Sequence, residues 1–298
     1  MVTPSPYADM LARVPVEARQ IDLLGGTTHY WVYGQADAKR TIVIAHGYRG
    51  EHHGLEPVIA QLPDVRWIGA DMPGFGLSSP LTQAPHSILG YSRWLTEFID
   101  ALGLSGSAIL LGHSFGSIIS AQAIADGARP PALILINPIA ISGLDGPNKG
   151  ATKVTVAFYR FARKLPVPMG NWLLRHWIVT QFVSSTLAKT KDRQLRRWIH
   201  NEHHTYFSTF ASRDVVVEAF EASISTHVGE FASQIPMPTL LIAAELDDIT
   251  PIQAVRDLAE EMPNATLTEL TDVGHLIHYE VPARAADAIR SFLVTLRQ

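Results

Sequence analysis

The stretch Gly112-His113-Ser114-Phe115-Gly116 decides how this chain is read, because it sets a serine between two glycines directly after the apolar run Ala108 to Leu111. A strand that turns sharply into a helix there needs small residues two before and two after the serine, since a Cβ at either place would collide. Such a turn leaves the hydroxyl exposed. Behind it, Ile118, Ile119, Ala121, Gln122 and Ala125 follow the spacing of an amphipathic helix over Ser117 to Ala125. A serine flanked by glycines also suits a helix N-cap. The functional reading therefore depends on partners elsewhere in the chain.

Outward from this point, short apolar runs alternate with helical patterns. Gln20 to Leu24, Thr28 to Tyr33 and Thr41 to Ala45 read as strands ended by turn residues. Trp67 to Ala70, Ala108 to Leu111, Leu133 to Ile136, Thr239 to Ala243 and Thr266 to Leu270 follow. The last several are continuously apolar, as parallel strands covered on both faces are. Between them, Leu55 to Leu62, Leu89 to Leu102, Ile252 to Glu261 and Pro282 to Leu296 have helical spacing. This alternation predicts an α/β fold, a mainly parallel central sheet with helices on both faces and an antiparallel pair at its start. The rhythm breaks between about Ala140 and Gln234, where helical patterns run without a clear strand. The expected organisation is a core of residues 1–139 and 235–298 with a helical insertion, 140–234.

Composition narrows the function. At 298 residues, 47% hydrophobic and 17% charged, the chain can bury a sizeable core. A formal net charge of −4 argues against a general nucleic-acid binder. No apolar run reaches membrane-spanning length, and Met1 to Gln20 lacks a signal-peptide core, so the chain reads as soluble and cytoplasmic with no integral membrane segment. Without cysteine it has no disulfide, thiolate metal site or cysteine nucleophile. The charge is unevenly placed: between Asn148 and Arg213 stand twelve basic and two acidic residues, about +10, leaving about −14 for the rest.

A serine hydroxyl is a poor nucleophile until a base takes its proton, and that base needs a carboxylate to hold its tautomer. Gly274-His275 follows a strand and a short loop, where an imidazole can reach back over the sheet. Asp247 follows the strand Thr239 to Ala243, four residues before Pro251 opens a helix. Each of the three lies at the carboxyl end of a strand, where open parallel sheets place their sites. Asp248 is an alternative acid and His278 an alternative base.

Together these motifs resemble the α/β-hydrolases, specifically their capped serine hydrolases. The elbow Gly112 to Gly116, the dipeptide His46-Gly47 before Tyr48, the loop Asp71 to Ser78, and Gly274-His275 with Glu280 and Pro282 carry the resemblance. It spans about residues 20 to 298 and is weakest over the insertion, which in this family is the variable cap. Ala244 stands where the family's acid loop often has glycine. The resemblance implies an oxyanion hole from the backbone N–H groups of Tyr48 and Phe115. It also implies a pocket beneath the cap, for which His46, His113, Trp172, Trp177 and Trp198 are candidates.

Two further clusters have plainer readings. His200 and His204 stand one helical turn apart, but Glu202 is displaced from the position that a metalloprotease helix requires, so an exposed helix face is expected and no metal is assigned. His52 and His53 read as a solvated part of the loop after Tyr48. The aromatic residues of the insertion read first as the core between it and the main domain. Interleaved with arginine and lysine, they also suit a pocket for an anionic or amphipathic substrate or a surface that touches anionic lipid, beside the plainer reading of a solvated basic face.

The expected activity is serine-dependent hydrolysis of a carboxylic ester or related small carbonyl substrate with an apolar part, requiring no metal or organic cofactor. Hydrolysis of a carbon–carbon bond in a diketo acid, favoured by a fixed internal arginine facing Ser114, is the alternative. A non-catalytic ligand binder is a third reading. The oligomeric state is left open by the sequence.

Overall fold

The computed structural model of the chain describes residues 3–144 and 149–296. Eight strands, β1 (Val16–Leu23), β2 (Gly26–Tyr33), β3 (Thr41–Ala45), β4 (Arg66–Ala70), β5 (Ile109–His113), β6 (Leu133–Ile136), β7 (Thr239–Ala244) and β8 (Ala265–Leu270), form one sheet. Its order is β1-β2-β4-β3-β5-β6-β7-β8. The first two contacts, β1 with β2 and β2 with β4, are antiparallel, and the remaining five are parallel.

The pattern of burial explains why the parallel strands read as unbroken apolar runs. Ile42 to Ala45, Ile109 to Leu111, Leu133 to Ile136 and Leu240 to Ala244 are buried almost completely. Alternate residues enter different apolar layers: Val43, Leu110, Leu135 and Leu241 belong to one, and Ile44, Leu111, Ile136 and Ile242 to the other. Helices therefore cover both faces of the sheet. The edge strand β1 is largely exposed, and its start at Val16, four residues before the expected one, carries no strong apolar signal.

Both elbow glycines are enforced by packing. A Cβ on Gly116 would lie 1.9 Å from the carbonyl oxygen of Ala45, and one on Gly112 would lie 2.5 Å from that of Gly116. The helix Phe115–Ala125 starts directly after Ser114, which is held at φ 51°. Its amide donates to Ile136 O at 3.0 Å, and the Ser117 hydroxyl donates to the Ser114 carbonyl at 2.5 Å. Tertiary contacts on both sides thus maintain a backbone conformation that a non-glycine residue rarely adopts.

Between β6 and β7 the chain leaves the sheet. The helices Lys149–Lys164, Val167–Arg175, Trp177–Leu187, Arg193–Tyr206 and Arg213–Ser225 are followed by a 3-10 segment, Val228–Gln234. Residues 145–148 of the expected insertion, like 1–2 and 297–298 of the expected core, lie outside the described residues. The insertion is stitched to the sheet side by backbone bonds, Gly76 N to Thr209 O and Ala211 N to Gly74 O, both at 2.9 Å. Arg49 adds a second fastening. Its buried guanidinium donates to Phe207 O and Leu174 O, each at 2.9 Å, and stands 4.2 Å above the Phe207 ring.

Candidate active site

Three loops at the carboxyl ends of β5, β7 and β8 converge. Ser114 follows β5, Asp247 follows β7, and His275 follows β8. The imidazole Nε2 of His275 lies 2.8 Å from Ser114 Oγ, and its Nδ1 lies 2.8 Å from Asp247 Oδ2. A carboxylate oxygen only accepts, so Nδ1 carries the proton and Nε2 presents its lone pair to the serine hydroxyl. All three side chains are buried. The Ser114 side chain makes no helix-cap bond, so its hydroxyl is directed to His275 and not to its own helix.

Asp247 is oriented by more than the histidine. Its Oδ1 accepts from the amides of Ile249 at 2.8 Å and Thr250 at 3.2 Å, and its Oδ2 also accepts from Asn137 Nδ2 at 2.9 Å. Asp248 is 53% exposed and forms an ion pair with Lys189. His278 is buried, with its ring 4.2 Å from that of His113 and its Nδ1 unpartnered among the described residues. The geometry therefore separates the two aspartates and the two histidines that the sequence left open.

Asn137 was missed by reading the sequence. It sits at φ 47° immediately after β6, where its amide also reaches Gly274 O at 3.4 Å and so joins the acid loop to the histidine loop. The available signal was its place at the carboxyl end of an apolar run, the position already used to select the other three residues.

The loop after β3 brings in Tyr48. Its ring packs edge-on to Phe75 and Phe115 and against Tyr159 and Phe220, and its hydroxyl donates to Val216 O at 2.9 Å. Its backbone N–H and that of Phe115 have no protein acceptor among the described residues. His46 clamps this loop to the next: Nδ1–H donates to Gly47 O at 2.8 Å, and Nε2 accepts from Met72 N at 2.8 Å. His46 and His113 border a cavity of about 80 Å³ shared with Tyr48, Arg49, Glu202 and His278.

The tryptophans expected in the pocket are placed differently. Trp172 and Trp177 line an open outer groove with Arg175 and His176, and Trp198 packs in a separate cluster with Tyr7 and Tyr279. The helices of Trp172 and Trp177 bury other faces, with Leu174 and Thr180 turned inward, whereas Trp198 is itself buried on its helix.

The histidine clusters are also resolved by contacts. His200 Nδ1 and His203 Nδ1 share Ser184 Oγ at 2.6 and 2.7 Å, and His204 Nε2 meets Gln181 Oε1 at 2.8 Å, so these side chains pair with the neighbouring helix. His52 is not solvated. It stacks on Trp31 and donates from Nδ1 to the buried Asp71 at 2.7 Å, while His53 pairs with Glu51. Glu51, His52 and His53 bring three potential ligand atoms within 4.8 Å of one another, but both imidazoles already have carboxylate partners, His52 in Asp71 and His53 in Glu51 itself.

The model of the α/β hydrolase fold family matches residues 40–282. The chain belongs to this family. A Bacillus subtilis protein named uncharacterized hydrolase YugF is 23% identical over 290 residues, covering 95% of this chain and 100% of that protein. The putative carbamate hydrolase RutD of a Caulobacter species is 25% identical over 282 residues, covering 92% and 98%. Among solved structures, a thermophilic esterase from Thermogutta terrifontis superimposes with a TM-score of 0.75 at 20% identity, covering 95% of this chain and 100% of that one. At that identity the likeness concerns the fold.

The electrostatics of this α/β-hydrolase follow from burial. Burial raises the Asp247 carboxyl, but the nearby His275, its hydrogen bond, the Ile249 amide and Asn137 outweigh that effect and hold it below the usual carboxylate range. Burial lowers His46 to about 4 and His113 and His203 to about 3, and takes His278 well below its ordinary value. These imidazoles are neutral in the folded protein at neutral pH.

Their folded values lie below the unfolded one of about 6.5, so in that interval the unfolded chain binds more protons. Stability contributed by the four neutral rings is complete above about pH 6.5 and is lost as pH falls from there through their folded values, about 4 for His46 and about 3 for His113 and His203. Urea midpoints measured at about pH 7 and about pH 5 should differ in that direction. An unchanged midpoint would show that these rings are accessible to protons in the native state.

Proposed function

We propose that this α/β-hydrolase cleaves carboxylic esters by acyl transfer through Ser114, His275 and Asp247. The observation that carries the reading is the continuous hydrogen-bonded chain from Ser114 Oγ through His275 to Asp247. His275 takes the serine proton as Oγ attacks the carbonyl carbon, then delivers it to the leaving alcohol. Asp247 keeps Nδ1 protonated and stabilises the imidazolium. Water, deprotonated by the same imidazole, then cleaves the acyl-enzyme and releases the acid.

The backbone N–H groups of Tyr48 and Phe115 are assigned to the oxyanion, each contributing roughly 2.7–4 kcal/mol to the lowering of the barrier. The insertion 140–234 is assigned as the cap. Its inward rings Tyr159 and Phe220, with Tyr48, Phe75 and Phe115, favour an apolar acyl or alcohol group. A carbamate, the substrate class in the name of the Caulobacter relative, presents a carbonyl open to the same attack.

The carbon–carbon reading calls for an internal cation facing Ser114. Arg49 is the fixed, buried arginine near the site, and its donors are directed to Phe207 O, Leu174 O and the Tyr159 hydroxyl. The ester reading is preferred for that reason. The test is hydrolysis of p-nitrophenyl esters from acetate to laurate. Turnover with a chain-length optimum is expected and would size the acyl pocket. A folded protein inert toward the whole series would move the assignment to the carbon–carbon hydrolase or a non-catalytic binder.

A further inference from the structure

The helices Lys149–Lys164, Val167–Arg175 and Trp177–Leu187 present an outer surface unlike the rest of the molecule. Phe161, Trp172, Trp177 and Phe182 are 57%, 65%, 61% and 72% exposed, and every exposed Phe or Trp among the described residues lies in this segment. Met169 and Ile178 stand exposed beside them. Single exposed apolar side chains are ordinary, but large aromatic ones gathered on consecutive packed helices mark a surface that is covered in use. Trp172, His176 and Trp177 form a continuous row, with ring centroids 4.9 and 6.1 Å apart along it.

Charge identifies what covers it. From Lys149 to Leu187 there is no Asp or Glu, whereas Lys149, Lys153, Arg160, Arg163, Lys164 and Arg175 are all basic. Arg160 and Arg163 are matched by acids of the helix Arg213–Ser225. Lys149, Lys153 and Lys164 are exposed and have no ion-pair partner among the described residues. A second copy of the chain docked symmetrically would set this basic surface against itself. An anionic bilayer complements both features, accepting the aromatic side chains at its interface while its headgroups attract the lysines. No helix among the described residues is long and apolar enough to cross a membrane, so the contact is with the surface.

We propose that this face docks the protein onto anionic lipid membranes. The proposal stands apart from the reaction assigned to Ser114, because binding is measured without turnover. The inward sides of these helices meet the loop that carries Tyr48, through Tyr159 against the Tyr48 ring and Leu174 O against Arg49. Docking therefore brings the bilayer to the cap and away from the acidic remainder of the molecule.

The experiment uses the full-length Ser114→Ala protein, so that no lipid is cleaved, and flotation with vesicles of phosphatidylcholine alone or mixed with phosphatidylglycerol. Co-flotation with the phosphatidylglycerol vesicles is expected, weakening at high salt. Tryptophan emission should shift to the blue as Trp172 and Trp177 leave water. A variant carrying Trp172→Ser, Trp177→Ser and Phe182→Ser should lose about tenfold or more in partitioning while keeping its circular dichroism, since all three side chains lie outside the core. No flotation, equal flotation with neutral vesicles, or undiminished flotation of the triple variant would overturn the proposal. So would a concentration-dependent dimer that disappears in the triple variant and shows no affinity for vesicles.

Discussion

Replacing Ser114 with alanine should lower kcat for the best ester by about a million-fold, the scale on which a serine hydrolase loses turnover when its nucleophile is removed. The expectation rests on one atom. Ser114 Oγ is the hydroxyl that His275 Nε2 faces at 2.8 Å, and no other side chain is hydrogen-bonded to that nitrogen among the described residues. Residual turnover from binding and the assigned oxyanion donors should remain about 10³–10⁴ above water. The fold should survive, because the glycines that permit the turn and the backbone bonds of Ser114 to Ile136 and Ser117 are untouched. Steady-state kinetics beside a urea denaturation curve checks both halves. A folded variant with full activity would remove Ser114 from the reaction and with it the acyl-transfer reading.

The second large effect separates two neighbouring carboxylates. Asp247→Asn should cost about 10⁴ in kcat, whereas Asp248→Asn should cost about tenfold or less. Asparagine at 247 can turn an N–H₂ donor toward Nδ1 of His275. That favours the tautomer with its proton on Nε2, where no lone pair is left to accept from Ser114. The buried, depressed carboxyl of Asp247 is also what would stabilise an imidazolium in the transition state. Asp248→Asn removes a half-exposed ion pair with Lys189, an interaction weakened by solvent. Activities of the two variants toward the same ester decide the matter, and the reverse ranking would transfer the acid role to Asp248.

The glycine spacing around Ser114 was legible because it answers a purely local steric demand. Alternating apolar runs likewise disclosed the parallel sheet, since strands covered on both faces can tolerate few polar residues. The places of Ser114, Asp247 and His275 at the carboxyl ends of parallel strands pointed to their convergence, a regularity of parallel sheets that does not depend on detailed packing. Edges and outward faces were less readable. The beginning of β1 is exposed and bears little apolar pattern, and Trp172, Trp177 and Trp198 share a residue type but face three-dimensional surroundings that the local sequence does not specify.

The sequence by itself determined the α/β class, the elbow and the set of candidate nucleophile, acid and base, because those depend on periodicity, turn sterics and strand order. Only the tertiary structure brings His275 rather than His278 to Ser114, Asp247 rather than Asp248 to His275, and Asn137 to the Asp247 carboxylate. Those choices depend on which side chains meet across 28, 110 or 161 residues of chain and on which carboxylate is buried there, neither of which local sequence specifies. It also separated the aromatic residues of the insertion, with Tyr159 and Phe220 packed over Tyr48, Trp198 buried against Tyr7 and Tyr279, and Trp172, Trp177 and Phe182 facing outward, because a helix buries one side and exposes the other.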